Sequence, residues 1–269
     1  MLKCFFSIGM SLMLAFVAVE NAAGQESKQT TAQPKQTDQS KETTPAKEPA
    51  DDKNVREYKD RAAEAAKVLT EIMNIPENSI PEELMARAHG IAVIPHVVKG
   101  AFGLGGQWGK GLMSQRGEDG SWSTPAFVEI GGGSFGLQIG VQASDVVLVF
   151  TDESGIKGLL KSKLKLGADA SATAGPVGRK AEVGTDAALR SGVFAYSRSK
   201  GLFAGISLDG SVISIDDTAN RRVYGKEVTG PQILLDNRVK SNATVQPFLA
   251  SLQSVSPPHK HTTKATKSN

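Results

Sequence analysis

Between residues 54 and 73 apolar side chains recur at helical spacing. Val55, Tyr58, Ala62, Ala65, Leu69 and Ile72 share one helical face. The rest of that stretch carries charges of both signs: Arg56, Lys59, Arg61 and Lys67 against Glu57, Asp60, Glu64 and Glu71. A helix lying on an anionic membrane is biased to Lys and Arg on its polar face. This one is therefore expected to pack on the domain's own sheet. Pro81 suits the first turn of a second, short helix containing Glu82, Glu83, Leu84 and Met85.

The period then changes. Ile91 to Val98 reads as a buried strand, with His96 at a strand edge. Phe127 and Glu129, then Phe135, Leu137, Ile139 and Val141, alternate with period two, and Val146 to Phe150 is an apolar strand. Glycines punctuate residues 100 to 149, and glycine inside strands marks bulges, bends and close sheet approach. Further on, the pattern predicts a helix over 154–160 and strands at 163–173, 193–197, 202–208 and 212–215. Helices are predicted at 216–224 and 242–252. The expected fold is α+β: a strongly bent antiparallel, glycine-rich sheet or barrel-like core with an N-terminal helical segment and a C-terminal helix.

The ends have a different composition. Lys3, an apolar run from Phe5 to Val19 and the small residues Ala22, Ala23 and Gly24 have the layout of a secretory signal peptide over residues 1–24. That apolar core is short for a membrane span; the alternative is an uncleaved N-terminal anchor. Residues 25–53 lack aromatic and large apolar side chains and read as a disordered linker. Residues 256–269 read as a disordered basic tail, which leaves one folded domain over 54–255. The chain is expected to be exported to the periplasm or cell envelope. Its single cysteine, Cys4, lies in the leader, so the mature chain would have no disulfide, thiol nucleophile or cysteine metal ligand. Net charge is +3, and removing Lys3 and Glu20 together leaves it unchanged. That is too mild for general nucleic-acid binding.

No motif makes an enzyme. Gly132-Gly-Ser134-Phe-Gly136 fits the pattern of a nucleophile elbow, but Phe135 onward alternates like a strand instead of opening a helix. The only downstream histidines are His259 and His261 in the tail. Gly103-Leu-Gly105-Gly106 fails as a dinucleotide loop because Trp108 takes the last glycine's place. His89 and His96 lack the carboxylates or thiols of a metal site. No catalytic residue, metal or cofactor is expected.

Several glycine-rich stretches resemble, in order and spacing, the SYLF domain family over residues 58 to 252. They are Gly100-Ala-Phe-Gly-Leu-Gly-Gly-Gln-Trp-Gly-Lys-Gly, Trp122-Ser-Thr-Pro-Ala-Phe and Gly131-Gly-Gly-Ser-Phe-Gly-Leu-Gln-Ile-Gly140. With them go Leu166-Gly-Ala-Asp-Ala, Gly175-Pro-Val-Gly-Arg179, Tyr196-Ser-Arg-Ser-Lys-Gly-Leu-Phe-Ala-Gly205 and Asn220-Arg-Arg-Val-Tyr-Gly225. The resemblance implies binding of anionic phospholipids such as phosphoinositides, and in some fungal members of actin. An exported chain would not meet actin, so only the lipid role is carried over. The SH3 and FYVE domains of eukaryotic members are absent from these residues.

Headgroup phosphates need point charges or backbone donors. The first candidates are Lys157, Lys161, Lys163 and Lys165, the last three alternating with apolar residues so that they share one strand face; Leu159 and Leu160 would insert shallowly. The alternative is a strand edge guarded by lysines. Arg179 and Lys180 follow the Gly175–Gly178 turn; Lys99 and Lys110 flank the first glycine-rich stretch; Arg198 and Lys200 form another basic turn. Trp108 and Trp122 would be interfacial anchors or core plugs, the core being favoured. The function expected is non-enzymatic docking of the domain on an anionic phospholipid membrane. The alternatives are an envelope assembly protein binding a protein or glycan, and a hydrolase centred on Ser134.

Overall fold

The computed structural model describes residues 50–256 except 76, 78, 103, 136–139, 162, 179–191, 200 and 237. The leader, the linker up to residue 49, the tail beyond 256, Arg179, Lys180, Lys200 and the Leu137–Ile139 alternation lie outside the described residues. Helix α1 runs from Ala50 to Asn74 and α2 from Glu82 to Arg87. Four long strands follow: β1 (Gly90–Phe102), β2 (Leu104–Gln115), β3 (Ala126–Phe135) and β4 (Gly140–Phe150). Then come α3 (Glu153–Lys161), β5 (Lys163–Lys165), β6 (Ala172–Ala174), β7 (Val193–Ser199), β8 (Leu202–Gly205) and β9 (Ser211–Ile215). Helices α4 (Asp217–Tyr224), α5 (Gly230–Leu234) and α6 (Gln246–Val255) close the domain. The single strand expected over 163–173 is two short ones, because the chain turns at Gly167–Asp169. Helix α5 carried no periodic signal, being only a turn and a half long.

The strands form one sheet ordered β5-β9-β3-β2-β1-β4-β7-β6, with β8 paired to the far end of β7. It is curled into an open half-barrel, antiparallel throughout except where β6 runs parallel to β7. Alternation along each strand fills two cores. Ile91, Val93, Leu112, Phe127, Val147, Val149, Phe194 and Tyr196 face α1 and α6, whose Ala62, Leu69, Ile72, Phe248 and Leu252 cover them. Ala92, Ile94, Met113, Val128, Ile130, Val146, Leu148 and Phe150 face the other way, under α3, α5 and β5. Helix α1 thus packs on the sheet as its balanced charges require. Val55 is the exception to its apolar face, being 49% exposed.

A bulge interrupts the middle of the sheet. Val93 pairs with Leu112 and Val98 with Trp108, so five steps along β1 meet four along β2. His96 sits in the bulge with φ 51°, and its N–H donates to Asp145 Oδ1 at 3.0 Å. It therefore lies between two paired strands and not at an edge. Asp145 in turn accepts from Arg198 at 2.7 Å, and Arg198 reaches Glu71 of α1. The supposed basic turn at Arg198 is a tie between helix and sheet. Tyr196 and Tyr224 donate to the carbonyls of Pro176 and Pro125, and burial pushes both phenols above their ordinary pKa.

Candidate functional site

Cross-strand register places several predicted residues on one stretch of sheet. One row runs Lys165, Val212, Gly131, Trp108, Val98, Ala143 across β5, β9, β3, β2, β1 and β4. The next row runs Lys163, Ser214, Glu129, Lys110. Residues directly opposite one another point to the same face. Trp108 and Leu112 are four apart, so this is the face that α1 covers nearer Leu112 and Phe127. Here the cover stops: Trp108 is 55% exposed, Val98 42% and Val141 79%. Lys163 and Lys165 project from edge strand β5 while Leu164 between them is buried. Lys110 lies over the Trp108 ring and forms an ion pair with Asp216 at 3.3 Å. Trp122 is a core residue at 6% exposure, but Trp108 is not, against expectation, because no element covers that end of the sheet among the described residues.

The four-lysine cluster divides. Lys161 is the last residue of α3, not part of the strand, and α3 lies on the opposite face through Ile156 and Leu159. Lys161 therefore does not share a face with Lys163 and Lys165. Leu159 is fully buried and has nothing to insert, while Leu160 is half-buried. Lys157 is held by Glu153 at 2.7 Å. Lys161, Lys163 and Lys165 have no carboxylate partner among the described residues. Lys99 opposes Gln107, three residues from Lys110, and so points to the other side of the sheet. Gly178 has φ 104° and donates to the Ser79 carbonyl at 2.9 Å, a turn with a backbone role. Ser134 lies within β3, opposite Gly105. No cluster of three or more His, Cys, Asp or Glu among the described residues is placed to hold a metal ion.

Two clefts flank the first half of α1. One, about 460 Å³, opens between Glu57, Asp60 and Glu64 of α1 and His96, Trp108 and Lys110 of the sheet. The other, about 350 Å³, lies between Asn54, Val55 and Tyr58 of α1 and Arg221, Arg222 and Lys226. Sequence reading passed over these last three, although the Arg-Arg pair and a lysine four residues on were the available signal.

Residues 131–255 match the family described as Ysc84, Las17-binding protein actin regulator. The domain belongs to the Ysc84, or SYLF, family. Protein YSC84 of Saccharomyces cerevisiae is 36% identical over 207 residues, 74% of this chain and 44% of the relative. LAS seventeen-binding protein 3 of the same yeast is 33% identical over 207 residues, 74% of this chain and 45% of the relative. SH3 domain-containing YSC84-like protein 1 of Homo sapiens is 35% identical over 184 residues, 65% of this chain and 53% of the relative. The chain thus spans about half the length of these relatives. Both Lys163–Lys165 and Arg221–Lys226 fall inside the Ysc84 match.

Proposed function

We propose that this Ysc84-family domain is a non-enzymatic module that docks on anionic phospholipid headgroups, as a peripheral protein exported to the cell envelope. One observation carries the reading: Trp108, Val98 and Val141 are exposed on the same sheet face as Lys163 and Lys165. Indole favours the headgroup level of a bilayer. Each lysine near an anionic surface adds on the order of 1 kcal/mol. Three strand spacings, about 14 Å along the curled sheet, separate Lys165 from Trp108, within the span of one docking surface. Nothing in this reading requires turnover.

The test is sedimentation of residues 25–269 with phosphatidylcholine vesicles, with and without phosphatidylglycerol. Binding is expected only to the anionic vesicles and should fall with salt, because exposed charges are screened over about 8 Å at physiological strength. Lys163→Gln/Lys165→Gln should weaken it roughly thirtyfold, the equivalent of two surface lysines. Lys161→Gln, on the other face, should do far less. Trp122 is buried, so Trp108 should supply the fluorescence blue shift on adding vesicles, and Trp108→Phe should lose it. Equal binding to neutral and anionic vesicles, or none to either, would sink the proposal.

A second reading draws on Glu57, Asp60 and Glu64 beside Trp108. Their charge opposes an anionic surface and suits a basic protein segment. The two readings separate on one measurement. Replacing these three with glutamine should strengthen vesicle binding if the face meets lipid, and weaken partner binding if it meets a basic peptide.

A further inference from the structure

The cleft between the start of α1 and the end of α4 belongs to neither of those readings. Its position is fixed by the stretch Asn220–Gly225, four of whose residues are spent on holding the helix. Asn220 is fully buried; its side chain accepts from Phe127 N–H at 2.8 Å and donates to Phe127 O at 3.0 Å. Asp216 caps the helix by accepting from Ala219 N–H at 2.9 Å. Val223 packs against the core and Tyr224 is anchored on the Pro125 carbonyl. Gly225, at φ 118°, is in a conformation that L side chains rarely adopt. There the chain turns, and Lys226 is brought back to the mouth of the cleft. The remaining two, Arg221 and Arg222, project from the last turn of α4 toward α1.

Three cations thus converge on a space of about 350 Å³, within the range of about 300–1,000 Å³ for small-molecule sites. Among the described residues no carboxylate lines it. Arg221 and Lys226 are exposed and have no carboxylate partner among the described residues, including Asp217 one turn before Arg221. Arg222 is aimed by two bonds, donating to Asn54 Oδ1 at 3.0 Å and to the Tyr58 hydroxyl oxygen at 3.3 Å. Because Tyr58 accepts there, its own proton is left to donate into the cleft. Thr218 adds a second hydroxyl at the rim. Three positive charges, one of them held in place, with neutral donors between them complement a dianion, and guanidinium matches phosphate geometry in particular.

We propose that this cleft is a binding site for a phosphate monoester, carried either on a soluble metabolite or on a lipid headgroup. A monoester is close to dianionic at neutral pH, since its second pKa is about 6, whereas a diester carries one charge. The site is separate from Lys163, Lys165 and Trp108, and binding through it does not depend on their role.

The full chain tests this by titration with inorganic pyrophosphate, and by flotation with vesicles of phosphatidic acid or of phosphatidylglycerol matched for charge density. Arg221→Glu/Lys226→Glu changes only exposed side chains, so its fold is checked by an unchanged melting temperature. Pyrophosphate binding is expected in the wild type, at least tenfold weaker in that double variant and unchanged in Lys163→Gln/Lys165→Gln. If the monoester is a lipid headgroup, phosphatidic acid will also be preferred over phosphatidylglycerol, and the preference will vanish with Arg221→Glu/Lys226→Glu. Pyrophosphate binding without that preference identifies a soluble ligand. Absence of pyrophosphate binding in the wild type, or equal binding by Arg221→Glu/Lys226→Glu, overturns the site.

Discussion

Gly111→Ala is expected to destabilise the domain by upwards of about 4 kcal/mol, the exceptional range for one substitution. For a domain of this size the melting temperature should fall by roughly 8–16 °C. Gly111 lies on β2 beneath the bulge in β1. A Cβ there would overlap the Val93 carbonyl oxygen and stand 2.7 Å from Ile94 Cα. Both neighbours are backbone, so no rotamer change relieves the clash. Moving them would disturb the bulge itself, where His96 is held at φ 51° by its bond to Asp145. Asp145 is tied through Arg198 to Glu71, so the displacement would reach α1. Gly131→Ala is the control: the nearest atom to its Cβ would be Gln107 O at 3.9 Å, an ordinary contact. It should cost less than about 1 kcal/mol. Thermal melts followed by circular dichroism decide the matter. Equal melting temperatures for the two variants would show that the sheet does not need close approach at Gly111.

Local periodicity made most elements legible, and it failed where a long-range contact decides the outcome. The face of α1 and the alternation in β3 and β4 follow from which residues must leave water. The bulge does not, because Ile91 to Val98 reads as one apolar strand whether or not an extra residue is accommodated at Pro95–His96. Trp108 reads as a core plug filling space opposite glycines. Its exposure depends on where α1 stops covering the sheet, which no local pattern encodes. Lys161 reads as part of a strand because Leu164 and Leu166 alternate with lysines, yet the α3–β5 junction falls between Lys161 and Lys163. Arg198 resembles a free surface cation until the fold brings Asp145 and Glu71 to it. Arg221 and Arg222 show the converse. The Arg-Arg pair and Lys226 mark a basic stretch but not a cleft, since its other wall, Asn54 to Tyr58, lies more than 160 positions earlier.

Asn220 should prove the most demanding polar side chain in the domain. Its two bonds to Phe127 join α4 to β3, and Asp216 N–H also donates to Phe127 O at 3.0 Å. Removing the amide therefore orphans the Phe127 N–H while leaving its carbonyl with one partner. A buried, unsatisfied donor together with the lost bond to the carbonyl should make Asn220→Ala about 3 kcal/mol less stable. The melting temperature should drop by roughly 6–12 °C. Asn220→Asp separates the two roles. The carboxylate still accepts from Phe127 N–H, but its other oxygen faces the Phe127 carbonyl in a site closed to water. Burial and that repulsion raise the aspartic pKa in the folded state above its unfolded value. A raised folded pKa means that the native state holds the proton more tightly. The deficit of Asn220→Asp relative to wild type should therefore be large at pH 7 and shrink toward pH 4, as the protonated carboxyl regains the donor that the amide supplied. Asn220→Ala should show no such recovery. Denaturant melts of the three proteins at both pH values measure this directly, and a deficit independent of pH in Asn220→Asp would mean that the bond to the Phe127 carbonyl contributes nothing. Helix α4 also carries Arg221 and Arg222. Loosening Asn220 should therefore weaken pyrophosphate binding below the melting temperature, although Asn220 itself does not line the cleft.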